Sequence, residues 1–266
     1  MERYQVNIAY DGTEFQGFQR QGSRRTVQSV VEGALRQLNW QGKTILYAGR
    51  TDTGVHAAGQ VIAFDLQWEH SPAELGQALN ANLPEDVAVR RVRIARGDFH
   101  PRYDALARCY RYRLYCQAVR DPLRERFAWR VWPEVQGDLL QEAAMAIEGA
   151  HDFAAFGSPL KPGGATQRVV FKASWEQAGD EWTFAVTANA FLYRMVRRLV
   201  FLQVRVGQQR LGIEELKAAL QPPSILTPGL AKPNGLVLER VIYTENRQIP
   251  EGLNQPLSAS GEEDCG

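Results

Sequence analysis

Hydrophobic and polar residues alternate over residues 4–10. Tyr4, Val6, Ile8 and Tyr10 occupy every second position, and polar or small residues lie between them. A period of two is typical of a strand that buries one face. The pattern therefore predicts a half-buried strand near the start of the chain.

Helical periodicity replaces this alternation after Thr26, a candidate N-cap. Apolar residues recur at positions 27, 30, 31, 34, 35 and 38, which form one stripe on a helix. A second helix is predicted after Ser71, because Pro72 suits the first helical position and Glu74 completes a capping box. The first half has the order β-α-β-β-α-β once alternating segments are added at 44–48, 60–66 and 87–94.

The second half repeats this order without evident sequence similarity. Strands are predicted at residues 108–115, 168–176, 181–189 and 236–243, and helices at 139–147, 193–206 and 213–220. Two such successions predict an α+β protein of two ferredoxin-like halves, with antiparallel or mixed sheets flanking a central active-site cleft. We expect the halves to cover residues 1–104 and 105–245. Residues 246–266 have little apolar content and are predicted to be a disordered tail.

Composition limits the class of protein. Hydrophobic residues make up 44% and charged residues 23% of the chain, which is typical of a soluble globular protein. No apolar run approaches the roughly 20 residues that a membrane span needs, and no apolar signal sequence follows Met1. We therefore expect a cytoplasmic protein. The three cysteines and four histidines lack metal-ligand spacing, so neither a metal site nor a disulfide framework is expected.

Positive charge is concentrated in one part of the chain. The net charge is only +1, but residues 90–130 hold twelve arginines and four acidic residues, with aromatic residues between them. Basic side chains contact phosphates, and flat rings stack on unpaired bases. The stretch is therefore compatible with RNA binding. A strand face whose arginines pair with carboxylates elsewhere would give the same pattern.

One loop holds a candidate catalytic carboxylate. Asp52 lies among Gly49, Gly54 and Gly59, which allow a tight backbone that presents the side chain rigidly. Arg50, two residues away, could keep the carboxylate ionised, and an ionised carboxylate fixed in a cleft can act as a nucleophile. An aspartate in such a loop can equally be a turn residue, so the pattern alone leaves both interpretations open.

The same loop, GRTDTGVH at residues 49–56, resembles the signature of the TruA family of tRNA pseudouridine synthases. Further segments are similar to family motifs in type, order and spacing. They are YDGT at 10–13, GFQRQ at 17–21, TVQ at 26–28, NANLP at 80–84, FHPR at 99–102, ARCYRY at 107–112 and NAFLYRMVR at 189–197. One match would be weak, but several in order are specific.

The resemblance implies an isomerase that converts uridine to pseudouridine at positions 38, 39 and 40 of the tRNA anticodon stem-loop. In this family an aspartate attacks the target nucleoside, the N1–C1′ bond breaks, and the uracil rejoins through C5. The resemblance also implies tRNA as substrate and a homodimer in which one tRNA contacts both subunits. No cofactor, metal or membrane is expected.

Four residues match the family's site. The resemblance implies that Asp52 is the nucleophile, that Tyr110 stacks on the target base and assists removal of the C5 proton, and that Arg197 pairs with the nucleophile. Arg50 is expected to fill the space of the flipped base or to contact the carboxylate. His56 is interpreted as a structural residue of the loop.

The sequence departs from the family pattern at three positions. Phe18 stands where tryptophan is usual, and Phe201 and Gln209 stand where glycine is common. The last two changes bear on the packing of the helix predicted at 193–206 and leave the loop around Asp52 unaltered.

Two other classes of protein remain as alternatives. A non-catalytic RNA-binding protein could share the scaffold, but it would not need the Asp52 carboxylate. A hydrolase could break an N-glycosidic bond with one carboxylate. Enzymes of that kind usually need a second carboxylate as acid or base, and the sequence shows no evident partner for Asp52.

Overall fold

A computed structural model describes residues 1–221 and 226–244, in which the chain forms ten strands and five α-helices. The strands are β1 (Glu2–Tyr10), β2 (Leu46–Tyr47), β3 (His56–Leu66), β4 (Val87–Ile94), β5 (Ala107–Cys116), β6 (Trp129–Val131), β7 (Gly149–Asp152), β8 (Gln167–Ala178), β9 (Glu181–Ala188) and β10 (Leu236–Ile242). The helices are α1 (Val27–Gln37), α2 (Pro72–Asn82), α3 (Gly137–Met145), α4 (Met195–Gly207) and α5 (Ile213–Ala218), with a 3₁₀ turn at Pro233–Gly235. The predicted α+β class is confirmed, and the predicted tail lies outside the described residues.

All the strands belong to one mixed sheet with the order β4-β1-β3-β10-β5-β9-β8-β7, while β2 pairs with β3 and β6 with β5. The first four strands have the order β4-β1-β3-β2, and every pairing among them is antiparallel. Strands β10, β5, β9 and β8 repeat that order with the same antiparallel pairing. The two halves thus share one strand order, as their repeated element order predicts.

The last of the described strands joins the two groups of strands. β10 runs antiparallel to β5 and parallel to β3, with Val237 opposite His56 and Leu238 opposite Ala57. The junction therefore lies where β3 begins, directly after the loop that carries Asp52. A tight hairpin cannot join two parallel strands. The parallel neighbour of β3 is β10, which lies much later in the sequence.

The capping residues explain why the first two helices begin where the sequence predicts. The Thr26 hydroxyl accepts a hydrogen bond from the backbone N–H of Ser29 at 3.2 Å. The Ser71 hydroxyl accepts one from the N–H of Glu74 at 3.3 Å, and Pro72 occupies the first turn. Such bonds satisfy N–H groups that have no partner inside the helix.

Several predicted boundaries are wrong for local reasons. Helix α4 begins at Met195 and not at 193, because Arg194 adopts a left-handed conformation with φ 64°, which cannot continue a right-handed helix. The strand predicted at 44–48 shrinks to Leu46–Tyr47. Strands β6 and β7 were not predicted, because three or four residues are too few to show alternation.

Gln209 and Phe201, two of the departures from the family pattern, lie at the end of α4 and within it. Gln209 has φ 56° and donates its N–H to the Val206 carbonyl at 2.8 Å, while Arg210 donates to the Arg205 carbonyl at 2.8 Å. These two bonds form a Schellman C-cap, whose left-handed residue is usually glycine. The Phe201 ring lies so close to Gly229 that an added Cβ there would clash with it.

Each group of strands has its own hydrophobic core. One core lies between the first group and helices α1 and α2, and the other between the second group and helices α3 and α4. Tyr110 packs against both cores, Val55 belongs to the second core, and Leu238 belongs to the first. The cores therefore interlock at the β3–β10–β5 junction. Over the described ranges, no helix combines the length and apolar character needed to cross a membrane.

Candidate active site

The loop between β2 and β3 carries Asp52, and a second glycine-containing loop holds it in place. The N–H of Phe18 donates to the Thr51 carbonyl at 3.0 Å, and the N–H of Gly54 donates to the Phe15 carbonyl at 3.3 Å. Gly17 has φ 83°, and an added Cβ would lie 3.0 Å from the Thr51 carbonyl oxygen. Only glycine suits both this conformation and this close approach.

Two buried polar side chains form hydrogen bonds that hold the loop of Asp52 in place. The Tyr10 hydroxyl lies 2.8 Å from Oγ1 of Thr51, and Nε2 of Gln60 donates to the Gly49 carbonyl at 2.8 Å. Burial raises the pKa of Tyr10, so its phenol stays neutral. The backbone before Asp52 is therefore anchored at two points.

Arg197 of α4 pairs with the Asp52 carboxylate across the junction. Its Nη1 lies 2.9 Å from Oδ2 of Asp52, and the two side chains are only 12% and 18% exposed. Its Nε donates to the Ala231 carbonyl at 2.9 Å. Among the described residues, Oδ1 of Asp52 has no hydrogen-bond partner. The pair therefore orients the carboxylate and leaves one oxygen available.

Tyr110 of β5 lies close enough to Asp52 for the negative charge of the carboxylate to affect the pKa of the Tyr110 hydroxyl. Burial is the main cause that raises its pKa to about 12; Arg108 lowers the pKa, and the negative charge of Asp52 raises it. The Phe191 ring meets the Tyr110 ring edge-on, with centroids 5.0 Å apart and an interplanar angle of 86°. No hydrogen bond joins the Tyr110 hydroxyl to another part of the described chain. The structure thus brings Asp52, Arg197 and Tyr110 together.

Arg50 is placed differently. Its side chain is exposed and its Nε donates to the Tyr47 hydroxyl at 3.2 Å. It forms no ion pair with Asp52 in the described part of the chain. The expected contact between Arg50 and the carboxylate is not made, because the Arg50 side chain turns back toward β2 while Arg197 reaches Asp52 from the other group of strands.

Most arginines of residues 90–130 are engaged in ion pairs. Seven of the twelve contact a carboxylate: Arg96, Arg111, Arg113, Arg120, Arg124, Arg126 and Arg130. For these residues the pairing alternative is correct. Arg90, Arg91 and Arg102 have exposed side chains that form no ion pair within the described ranges, so they are the better candidates for phosphate contacts.

Arg102 lies beside the candidate site. Arg108 donates to the Arg102 carbonyl at 2.6 Å, to the Ala48 carbonyl at 3.3 Å and to the Asn189 carbonyl at 2.8 Å. One guanidinium therefore links the Arg102 segment, the loop of Asp52 and the segment that leads to α4.

Over the described residues, no cluster of three or more His, Cys, Asp or Glu side chains could hold a metal ion.

The sequence interpretation missed several contributors to the site. Tyr10 and Phe191 lie inside segments that were singled out, but their contacts with Thr51 and Tyr110 cannot be read from spacing. Ala231 carried no signal, because it contributes through its backbone carbonyl and its side chain plays no part.

Fold and site together define a class: an α+β protein that places one arginine-paired carboxylate and a half-buried tyrosine at the junction of two similar groups of strands. A family model described as tRNA pseudouridine synthase matches residues 7–104 and 143–244. The chain is 36% identical over 250 residues to tRNA pseudouridine synthase A of Streptococcus pneumoniae serotype 19F (strain G54), covering 92% of this chain and 100% of the relative. It is 35% identical, with the same coverage, to the protein of that name from Streptococcus pneumoniae (strain Hungary19A-6).

The chain belongs to the tRNA pseudouridine synthase family. The resemblance that the sequence motifs indicate is thereby confirmed, and so is the expected isomerase. A chain in a solved Cbf5-Nop10-Gar1 complex is also similar, with a TM-score of 0.34 and 14% identity over 76% of this chain and 45% of that chain. A likeness of that size adds nothing on fold or mechanism.

Proposed function

We propose that this enzyme isomerises uridine to pseudouridine at positions 38, 39 and 40 in the anticodon stem-loop of tRNA, with Asp52 as nucleophile. The family supports tRNA uridine isomerisation. The observation that carries the proposed mechanism is the Asp52–Arg197 ion pair, which is largely shielded from water and leaves Oδ1 available. A carboxylate held this way has a fixed orientation and one free oxygen, as a nucleophile needs.

In the proposed reaction the free oxygen of Asp52 attacks the target nucleoside, and Arg197 retains its hold on the other oxygen. The N1–C1′ bond breaks, the uracil turns, and a C5–C1′ bond forms. If the attack is on the sugar, the bond to Asp52 breaks as C5 bonds to C1′; if it is on the base, that bond breaks as C5 loses its proton. In both cases C5 loses one proton and N1 gains one, so the product is an isomer of the substrate. The reaction is an isomerisation without net oxidation or hydrolysis, so the chemistry requires no cofactor. The partner of Asp52 is a guanidinium and not a second carboxyl group, which favours this reaction over glycosidic hydrolysis.

We propose that Tyr110 receives the target base. Its ring is half-buried and is held edge-on by Phe191, so it offers a fixed flat surface for stacking. Its hydroxyl is neutral at pH 7, because its pKa is about 12, and it assists removal of the C5 proton as a hydrogen-bonding group. A base must leave its stack before chemistry at C5 is possible.

Arg50 is proposed to occupy the space that the flipped base leaves. Its exposed side chain and its hydrogen bond to Tyr47 suit this role better than contact with the carboxylate.

We further propose a cytoplasmic homodimer in which one tRNA contacts both subunits, and in which residues 1–104 and 105–245 act as the two halves of each cleft. Sedimentation of the protein with and without tRNA tests this assembly. A monomeric protein that forms a fully active one-to-one complex would contradict it.

The reaction and the target positions are tested with an unmodified tRNA transcript. We expect pseudouridine at positions 38, 39 or 40 after incubation with the protein. Binding without any pseudouridine would favour a non-catalytic RNA-binding protein, and release of free uracil would favour a hydrolase.

A further inference from the structure

A short segment, residues 231–234, contacts Arg197 and also the loop that carries Asp52. The Ala231 carbonyl accepts from Nε of Arg197 at 2.9 Å, and the Ala231 N–H donates to the Arg197 carbonyl at 3.2 Å. Pro233 lies against Gly54, where an added Cβ would be 3.0 Å from the proline Cγ. We call this segment the bridging segment, because it holds α4 on one side and the loop of Asp52 on the other.

His56 connects the loop of Asp52 to the bridging segment. It is the first residue of β3, only 3% exposed, and its Nε2 lies 3.2 Å from the Asn234 carbonyl oxygen. Its Nδ1 accepts a hydrogen bond from the N–H of Gly12 at 2.9 Å. Because the hydrogen bond at one ring nitrogen selects the tautomer, Nε2 carries the hydrogen and donates to Asn234.

The charge state of His56 agrees with this arrangement. Burial lowers its pKa and outweighs the opposite effect of Asp11, whose Oδ1 lies 3.0 Å from Nδ1. The ring is therefore neutral at pH 7. Arg126 and Thr13 donate hydrogen bonds to Asp11, so its carboxylate does not need a hydrogen on Nδ1 of His56.

The side chain of Asn234 is itself held by hydrogen bonds, so the backbone carbonyl that accepts from His56 has a fixed position. Its Nδ2 donates to the carbonyl oxygens of Glu125 and Ala128, the latter at 3.0 Å. The Phe127 ring packs on His56 with centroids 5.1 Å apart. The turn before β6 thus supports the contact between His56 and Asn234 from a third direction.

We propose that His56 is a positioning residue for the reaction. Its Nε2–H bond to the Asn234 carbonyl sets the separation between the loop of Asp52 and the bridging segment, which holds Arg197. The inference rests on the proposed role of Asp52. His56 does not touch the substrate in this account; it acts through the geometry of the nucleophile and its arginine. A misplacement of about 1 Å can cost about a hundredfold in rate.

Two substitutions separate the two hydrogen bonds of the ring. His56→Gln places an amide N–H near the position of Nε2 and retains the bond to Asn234, but it loses the acceptor for Gly12. His56→Asn places its oxygen near Nδ1 and retains the acceptor for Gly12, but it cannot reach Asn234. We expect the single-turnover rate to fall by about tenfold to a hundredfold in His56→Asn, and by no more than about threefold in His56→Gln. The dissociation constant for tRNA should be unchanged in both.

The opposite order, with His56→Asn faster than His56→Gln, would assign the importance of His56 to Gly12 and overturn the proposal. Equal rates in both variants would also overturn it. Thermal melts show whether a variant is folded. If neither variant folds, Asn234→Ala replaces them, because it loosens the anchor and keeps the carbonyl; its rate should fall by about threefold to tenfold, and an unchanged rate would refute the inference.

Wild-type protein and Asp52→Asn are assayed in the same experiment. An inactive wild type, or an active Asp52→Asn, would count against the proposed function itself. An active wild type with an inactive Asp52→Asn and unaffected His56 variants would count only against the positioning role.

Discussion

Arg197 binds Asp52 and Ala231 with different nitrogens of one guanidinium, Nη1 at 2.9 Å from the carboxylate and Nε at 2.9 Å from the carbonyl oxygen. The planar group therefore fixes the direction from which the positive charge approaches Asp52. An ammonium group cannot make both bonds in this geometry. The structure thus suggests why arginine, and not merely a cation, is needed here.

The first prediction concerns this geometry. Arg197→Lys should lower the single-turnover rate by about tenfold or more, and Arg197→Ala by about a hundredfold or more, because the carboxylate loses an oriented partner. Arg198→Lys is the matched control: Arg198 lies next to Arg197 but donates to the Gly229 carbonyl, so its rate should stay near that of wild type. Equal reductions in rate at both positions would show a general effect on α4.

The second prediction separates the ring of Tyr110 from its hydroxyl. Tyr110→Phe should bind tRNA like wild type but form pseudouridine about a hundredfold more slowly. Tyr110→Ala should also weaken binding by about 1 to 3 kcal/mol, because the ring no longer stacks on the base. Since burial raises the pKa of Tyr110 to about 12, phenol ionisation should not raise the wild-type rate between about pH 8 and pH 10. A fully active Tyr110→Phe would limit the residue to stacking.

The third prediction concerns the arginines of residues 90–130. Replacing Arg90, Arg91 and Arg102 together by alanine should weaken tRNA binding and flatten its salt dependence, by about 0.7 to 0.9 in slope for each phosphate that an arginine no longer neutralises. The control removes the same charge from ion-paired arginines, Arg111, Arg113 and Arg124. The control should lower the free energy of unfolding and change the salt slope less. Identical slopes in both triple variants would mean that only net charge matters.

The fourth prediction concerns the end of α4. Gln209→Gly should stabilise the protein by about 1 kcal/mol, because φ 56° strains a residue that has a Cβ. Gln208→Gly should destabilise it, since φ at Gln208 is −88° and its side chain donates to the Pro133 carbonyl. Urea unfolding measures both changes. A loss of stability in Gln209→Gly would contradict this account of the cap.

The elements that the sequence predicts well depend on local physics. Thr26 and Ser71 cap their helices as expected, because a cap is a contact between residues three apart. The motif around Asp52 predicts a tight loop, and in the structure the Phe18 N–H donates to the Thr51 carbonyl of that loop, with Gly17 allowing the close approach.

What could not be predicted depends on contacts between distant residues. The position of β10 between β3 and β5 brings together segments about 180 residues apart. The pairing of Arg126 with Asp11 joins residues 115 positions apart, so counting charges within residues 90–130 overstates the charge that is open to a ligand. Ala231 and Asn234 contribute to the site through their backbone carbonyl groups. Every residue has such a group, so the sequence does not indicate which carbonyls take part.

The most direct test of the mechanism compares wild type with Asp52→Ala on one unmodified tRNA transcript, measuring tRNA binding and mapping pseudouridine in parallel. We predict pseudouridine in the anticodon arm with wild type only, and similar affinity for tRNA in both proteins, because Asp52 contributes to the chemistry more than to binding. Pseudouridine formed by Asp52→Ala at the wild-type rate would contradict the central claim.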